Sequence, residues 1–383
     1  MSVKILIGDS IEQLKTLPDQ SVHCAVTSPP YFGLRDYGMD GQIGLESTPD
    51  EFIARLVEVF REVRRVLRSD GTAWVNMGDS YAANRGYQVP STLMNGDATN
   101  AAQAGAGQGM KAADFGVKPK DLLGIPWMLA FALRADGWWL RQDIIWSKPN
   151  PMPESVTDRC TKAHEYIFLL SKSANYYYDN EAIKEPSTLS TVERLSQANL
   201  ENQAGSDRVP GKTNGTMKAV GQRSARDSFK REDSKRAEVM PGQSMGTHRP
   251  DRDESQWDIG KRNKRSVWTV ATQPFKEAHF ATFPPALIEP CILAGCPPNG
   301  TVLDPFFGAG TTGLVADRLQ RSCIGIELNP AYALMARNRI DSEMPLFNSK
   351  GSGKRLKSIE ETRQLSLSVP VDMSSFNEAT HEN

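Results

Sequence analysis

Nowhere in these 383 residues is there an apolar run near the ~18 residues that cross a bilayer. The opening stretch, Met1-Ser2-Val3-Lys4-Ile5-Leu6-Ile7-Gly8-Asp9, holds too short an apolar segment for a secretion signal. Neither membrane insertion nor export is indicated, and a cytoplasmic protein is expected. Cysteine is scarce. Cys24, Cys160, Cys291, Cys296 and Cys323 are odd in number and scattered, without the C-x-x-C pairs of a zinc site or a disulfide framework. A reducing compartment and no metal are expected. Net charge is almost absent as well: 45 Lys/Arg stand against 46 Asp/Glu, leaving -1. A nucleic-acid partner would have to be met by a local basic surface. Internal repeats are missing.

What is present suits a globular chain with long polar segments: 39% hydrophobic and 24% charged residues, with a mean hydropathy of -0.46. The length allows one large α/β domain carrying an insertion, or two ordinary domains. The near-neutral total hides an asymmetry. Between Glu201 and Arg265, 15 Lys/Arg stand against 10 Asp/Glu, a net of +5.

Val3 to Ile7 and Val22 to Thr27 read as short buried strands, each followed at once by turn chemistry: Gly8-Asp9-Ser10, then Ser28-Pro29-Pro30. Thr48-Pro49-Asp50-Glu51 is a capping box with proline at the first helical position. Helical spacing continues from it through Phe52, Leu56, Val59, Phe60, Val63 and Leu67 to Gly71. Ala73 to Met77 is the next strand, and residues 82–120, rich in Gly, Ala, Asn and Gln, read as a mobile loop. A helix over Leu122 to Ala135 leads to strands at Asp143 to Trp146 and Glu165 to Leu170. Residues 185–264 are polar and basic, either a loosely built recognition insert or a segment ordered only by a partner. A compact unit over 265–345 and a flexible tail over 346–383 complete the chain. Strands alternating with helices on both sides of the insert argue for a doubly wound, mostly parallel α/β sheet, with 1–184 and 265–345 as its two parts.

Thr301-Val302-Leu303-Asp304 is a strand, followed by Pro305-Phe306-Phe307-Gly308-Ala309-Gly310-Thr311-Thr312-Gly313 and a helix. Gly308, Gly310 and Gly313 spell G-x-G-x-x-G in the strand-turn-helix setting that gives the pattern meaning. A Cβ there would block the tight turn and keep a ligand from the backbone amides at the helix start. Nineteen residues beyond Gly308, a strand ends in Glu327, placed to accept hydrogen bonds from ribose hydroxyls. A dinucleotide is the rival ligand. Asp304 and Phe306, however, put a carboxylate and an aromatic where a pyrophosphate needs neutral amides, which favours a cationic ligand such as a sulfonium.

Thr27-Ser28-Pro29-Pro30-Tyr31 also leaves a buried strand. Two prolines remove two backbone donors and stiffen the exit. A rigid turn offering a hydroxyl, a carbonyl and a ring suits a flat, flipped base gripped by its amino edge.

These two stretches resemble the catalytic S-P-P-Y or D-P-P-Y motif and the D-P-F-x-G-x-G-T-T cofactor motif of the bacterial and phage DNA amino-methyltransferases. The order here, catalytic before cofactor, is that of the circularly permuted β class. The resemblance extends over Trp146-Ser147-Lys148-Pro149-Asn150 to Glu154-Ser155, Asp158-Arg159, His164-Glu165-Tyr166, His279 to Pro284 and Ile324 to Pro330, covering roughly 1–180 and 265–340. It implies a Rossmann-like fold, S-adenosylmethionine as cofactor and double-stranded DNA as substrate. Carried over residue by residue, it puts Asp9 by the cofactor adenine and Glu327 by the ribose, with Asn329 following. Asp304, Phe306, Gly308, Gly310 and Thr311 would line the methionine half, and His279, Thr282 and Phe283 would close over it. Ser28, Pro29, Pro30 and Tyr31 would form the catalytic set. Lys148 and Glu165 are read as structural.

The cytosine N4 lone pair is delocalised into the ring, so acceptors that hold its hydrogens are the catalysts. The Ser28 hydroxyl and the Pro29 carbonyl are the expected acceptors, with Tyr31 stacked on the base, and most acceleration would come from positioning. Serine rather than aspartate at position 28 leans the resemblance toward cytosine N4, with adenine N6 as the alternative. A non-catalytic DNA-binding relative is the alternative of another kind. Cytosine C5 chemistry needs a Pro-Cys nucleophile after the cofactor motif, and Pro290-Cys291 lies before it on an expected helix. A zinc deaminase fails for want of ligands. DNA recognition would fall to the basic insert, with Lys261, Arg262, Lys264 and Arg265 as a phosphate clamp. A companion restriction endonuclease, and a monomer or homodimer, fit the resemblance.

Overall fold

The computed structural model describes residues 2–34, 36, 38–82, 117–118, 120–196, 260–273 and 282–343. His279, nearly all of the expected loop over 82–120, most of the insert and the whole tail lie outside the described residues. The chain divides into two compact units, Met1–Asp179 with Arg265–Asn383, and Asn180–Lys264.

The first unit is built on an eight-stranded sheet. Its strands are β1 (Val3–Ile7), β2 (Val22–Thr27), β3 (Leu67–Met77), β4 (Trp139–Ser147), β5 (His164–Ser171), β8 (Val267–Thr269), β9 (Thr301–Asp304) and β10 (Ser322–Glu327), in the order β1-β10-β9-β2-β3-β5-β4-β8. Pairing is parallel except where β5 runs against β3 and β4. The central strands β2 and β9 are mainly apolar between their ends. Val22, Cys24, Val302 and Leu303 are each fully buried, as expected of parallel strands covered on both faces.

Helices α1 (Ser10–Lys15), α2 (Pro49–Val66), α3 (Ile125–Ala135), α5 (Pro285–Gly295), α6 (Thr311–Arg318) and α7 (Pro330–Glu343) belong to the same unit. The capping box forms: Glu51 N–H donates to Thr48 Oγ1 at 3.1 Å, and the Glu51 carboxylate accepts from Ser47 N–H, also at 3.1 Å. Phe52, Leu56, Val59, Phe60 and Val63 are fully buried, so the 3.6-residue stripe faces the sheet.

Several boundaries differ from the sequence reading; β4, for one, begins at Trp139 rather than Asp143. α2 ends at Val66 because Leu67 is already extended (φ -68°, ψ 141°), and β3 starts there rather than at Ala73. α3 starts at Ile125 rather than Leu122. Gly124 before it is left-handed (φ 77°), and Asp79 Oδ1 accepts from the Gly124 and Ile125 amides at 3.0 and 3.1 Å. A cap supplied by another strand end is not visible in local spacing.

In the second unit, β6 (Glu185–Pro186) pairs antiparallel with β7 (Lys261–Arg262), and α4 (Leu189–Leu195) follows β6. Arg262 Nε donates to Glu185 Oε1 at 2.9 Å across the ribbon.

The two middle strands set the site. From β9 the chain passes through α6 to β10, away from β2; from β2 it passes through α2 to β3, away from β9. Neighbouring parallel strands whose connections leave in opposite directions open a crevice at their carboxyl ends.

Candidate active site

Both motif loops leave from that crevice. The end of β9 carries Asp304-Pro305-Phe306 and the adjacent end of β2 carries Thr27-Ser28-Pro29-Pro30-Tyr31. Asp304 ties them together. It is 1% exposed; its Oδ1 accepts from Thr27 Oγ1 at 2.6 Å and Phe306 N–H at 3.1 Å, and its Oδ2 from Thr312 Oγ1 at 2.6 Å. Burial pushes its carboxyl up to about 6 against the pull of these donors.

On the other side, the ends of β1 and β10 close on the glycine loop. Gly8 N–H donates to the Glu327 carbonyl at 2.9 Å, and Ser10 Oγ donates to the Pro305 carbonyl at 2.7 Å. The Glu327 carboxylate accepts from Gly308 N–H at 2.7 Å and Asn329 N–H at 2.9 Å. Burial raises this group to about 7, more than the two amides lower it. Asp9 Oδ1 caps α1, accepting from Ile11 and Glu12 N–H at 2.9 and 3.0 Å, while Arg55 stands 3.8 Å from Oδ2. Asp9, Asp304 and Glu327 thus sit on three strand ends side by side.

The glycines divide by role. Gly308 (φ 50°) and Gly310 (φ 75°) occupy left-handed backbone that a Cβ disfavours. Gly313 is a packing glycine: a Cβ there would come 2.6 Å from the Phe307 ring. Gly325 on β10 leaves even less room, at 2.3 Å from the same ring. Phe307 is the ring that anchors the loop, only 3% exposed, whereas Phe306 is only partly buried. Thr311 is turned toward α7, accepting from Arg339 at 2.9 Å. Asn329 Oδ1 accepts from Ala331 N–H at 2.9 Å at the start of α7. Thr282 and Phe283 lie half-buried ahead of α5.

In the proline-stiffened loop after β2, Pro29 is buried while Ser28, Pro30 and Tyr31 are half-buried. The Tyr31 hydroxyl donates to Glu165 Oε2 at 2.8 Å. Burial, reinforced by the Glu165 charge, holds the phenol well above its usual range. Lys148 forms an ion pair with Glu165 Oε1 and lies over the Trp146 ring, 4.3 Å from its centroid. Trp146 Nε1 donates to the Val270 carbonyl at 2.8 Å, and Asn150 exchanges hydrogen bonds with the Thr272 backbone at 3.0 and 3.3 Å.

The sequence reading set Lys148 and Glu165 apart from the site, yet Glu165 meets the Ser28–Tyr31 loop directly. The pattern carries no period linking position 31 to position 165; only their strand ends, on the same edge of the sheet, bring them together. Cys291 and Cys296 are buried, and burial pushes the Cys296 thiol up to about 12. A buried thiol is a poor nucleophile.

A doubly wound sheet with a glycine-turn carboxylate cluster beside a proline-stiffened, aromatic-bearing loop defines a transferase built around a nucleoside-bearing donor. Comparison narrows this class. The DNA methylase family model, which covers N6 and N4 enzymes, matches residues 22–338, and the chain belongs to that family. The Type II methyltransferase M.Cfr9I of Citrobacter freundii is 45% identical over 337 residues, 88% of this chain and 87% of that protein. M.SmaI of Serratia marcescens is 42% identical over 339 residues, 88% of this chain and 91% of its own. Among solved structures, PvuII DNA methyltransferase, described as cytosine-N4-specific, is alike in fold with a TM-score of 0.53, covering 96% of this chain and 93% of its own at 17% identity. The methyl donor of this family is S-adenosylmethionine.

Proposed function

We propose that this protein transfers a methyl group from S-adenosylmethionine to the exocyclic N4 of a cytosine flipped out of double-stranded DNA. The observation that supports the reading is the hydrogen bond from Thr27 to Asp304, which joins the proline-stiffened loop to the glycine loop at adjacent strand ends. The donor set fits the cofactor. Glu327 has acceptor capacity left for ribose hydroxyls, Asp9 offers Oδ2 toward an adenine amino group, and the negative charge of Asp304 behind Phe306 suits a sulfonium. Gly308 and Gly310 let such a ligand approach the backbone closely.

When bound, S-adenosylmethionine supplies a methyl group already activated for attack by an amine. The chain supplies the rest. Ser28 Oγ and the Pro29 carbonyl accept from the two N4 hydrogens, localising the lone pair on nitrogen. The ring of Tyr31 lies against the base. Most of the acceleration comes from orientation and preorganised acceptors rather than from a strong base.

Serine at position 28 supports N4 over adenine N6. The Type II relatives support double-stranded DNA as substrate and a companion restriction endonuclease; a cytoplasmic monomer or homodimer is part of the same proposal. The test is methylation of mixed-sequence duplex DNA with labelled cofactor, followed by digestion to nucleosides and mass spectrometry. N4-methylcytosine is expected; N6-methyladenine would replace the target base, and no labelled nucleoside would end the reading. The Ser28→Ala/Tyr31→Ala double variant should bind cofactor normally and transfer nothing.

A further inference from the structure

Among the described strands of the large sheet, β5 alone runs against its neighbours, so its amino end lies at the carboxyl ends of β3 and β4. Register sets Glu165 opposite Trp146 on β4 and Tyr166 opposite Met77 on β3. Both neighbours reach Glu165 with a side chain. Lys148, just past β4, pairs with Oε1, and Asn76 on β3 donates from Nδ2 to Oε2 at 3.3 Å. Asn76 is itself fixed by donating to the Tyr166 carbonyl at 3.1 Å. Lys148 lies over the Trp146 ring. The Glu165 and Lys148 side chains are only 15% and 18% exposed, so this is a built cluster rather than a surface pair.

Into this cluster the Tyr31 hydroxyl donates, to Glu165 Oε2 at 2.8 Å. A tyrosine does not fix the plane of its own ring, because the torsion next to the ring is broad. Stacking on a base needs one plane. Pro29 and Pro30 stiffen the backbone that leads into Tyr31, and the bond to Glu165 ties the far end of the ring. Gly78 makes room between the two: a Cβ there would stand 2.7 Å from Tyr31 Cε2, 3.2 Å from Cζ and 3.3 Å from Glu165 Cδ. The ring is therefore held at both ends and lies close against the chain at Gly78.

We infer that Glu165 is a positioning residue that, by holding the Tyr31 hydroxyl, fixes the plane of the ring against which the target base is laid. The inference rests on the proposed stacking of the base on Tyr31. In this role the phenol oxygen is an anchor, and phenylalanine at position 31 would keep the ring but lose the hold.

The test is single-turnover methyl transfer at saturating cofactor, read beside the fluorescence of pyrrolo-cytosine placed at the target position of the duplex, or of 2-aminopurine should the target prove to be adenine. Glu165→Leu/Lys148→Met removes the anchor and its ion-pair partner together and leaves no orphaned charge in the cluster. A loose ring quenches a flipped base less completely, so fluorescence of the bound duplex should rise. Transfer should slow roughly tenfold, with cofactor affinity little changed. Tyr31→Phe should show the same two effects, and adding Glu165→Leu/Lys148→Met to it should cause no further loss. Glu165→Gln/Lys148→Met keeps an acceptor for the phenol and should recover part of the rate. If loss of the ion pair disturbs folding, Tyr31→Phe, which leaves that pair in place, decides alone. Wild-type transfer and fluorescence in Tyr31→Phe, or losses that multiply when the variants are combined, would overturn the inference while leaving the methyltransferase reading intact. A wild-type protein that methylates no amino group would overturn both.

Discussion

Thr27 and Asp304, 277 positions apart in the chain, share a 2.6 Å hydrogen bond between the ends of adjacent parallel strands. That bond joins the proline-stiffened loop proposed to be catalytic to the glycine loop proposed to hold the cofactor. A buried carboxylate without donors is unfavourable, so each hydroxyl on Asp304 contributes to holding the crevice shut at its base.

Removing the Thr27 hydroxyl tests this directly. Thr27→Val keeps the shape and deletes a bond to a charged group, so stability should fall by about 1.5–3 kcal/mol. Thr27→Ser should stay close to wild type. Urea unfolding of the three proteins measures it, and equal midpoints for Thr27→Val and wild type would show that the bond contributes nothing.

The two raised carboxylates set a pH dependence. Burial lifts Asp304 to about 6 and Glu327 to about 7, above their unfolded values. In this window the folded chain binds more protons than the unfolded one. Their contribution to stability is therefore full below about pH 4 and lost as pH rises through 6 to 7. A cationic cofactor favours the ionised forms, so its uptake should tighten from about pH 6 to pH 8 and release protons. Calorimetry in buffers of different ionisation heat measures the release. Glu327→Gln should remove the upper part of that dependence and weaken binding tenfold or more; binding independent of pH would contradict the assignment.

Gly325 faces Phe307 with no room for a methyl group. Gly325→Ala should destabilise by about 1–3 kcal/mol through overpacking, outweighing the ~0.5–1 kcal/mol that alanine gains over glycine in a strand. Phe307→Leu/Gly325→Ala should recover part of the loss. Thermal unfolding reads both, and a Gly325→Ala melting point at or above wild type would refute the packing role.

In the expected phosphate clamp, Arg262 is engaged by Glu185 at 2.9 Å within the second unit, and Arg265 belongs to the first unit. Each lysine that meets a phosphate should add about 0.9 to the salt slope of DNA binding. Lys261→Gln and Lys264→Gln should each flatten that slope by about this amount, and Arg262→Gln by less, with cofactor affinity unchanged. Slopes identical to wild type in both lysine variants would move the clamp elsewhere.

The strands at Val3–Ile7 and Val22–Thr27, the capped helix from Pro49 and the glycine loop were legible because each depends on neighbours a few positions away: apolar periodicity, turn chemistry, a capping residue. The boundaries that differed, at Leu67, Gly124 and Trp139, are ones decided by a partner strand or by a cap from Asp79. The glycine pattern was found by spacing, but spacing gave Gly313 the same role as Gly308. The division between ligand approach and packing depends on where the Phe307 ring lies.

Short runs of the chain encode the principal strands and helices, the two motif loops and the resemblance to DNA amino-methyltransferases. Tertiary structure alone decided that β9 and β2 are neighbours, that Asp304 bridges them, and that Glu165 stands behind Tyr31. The physical reason is that strand order and side-chain docking follow from burying both faces of one sheet, a condition on the whole chain that no local window contains.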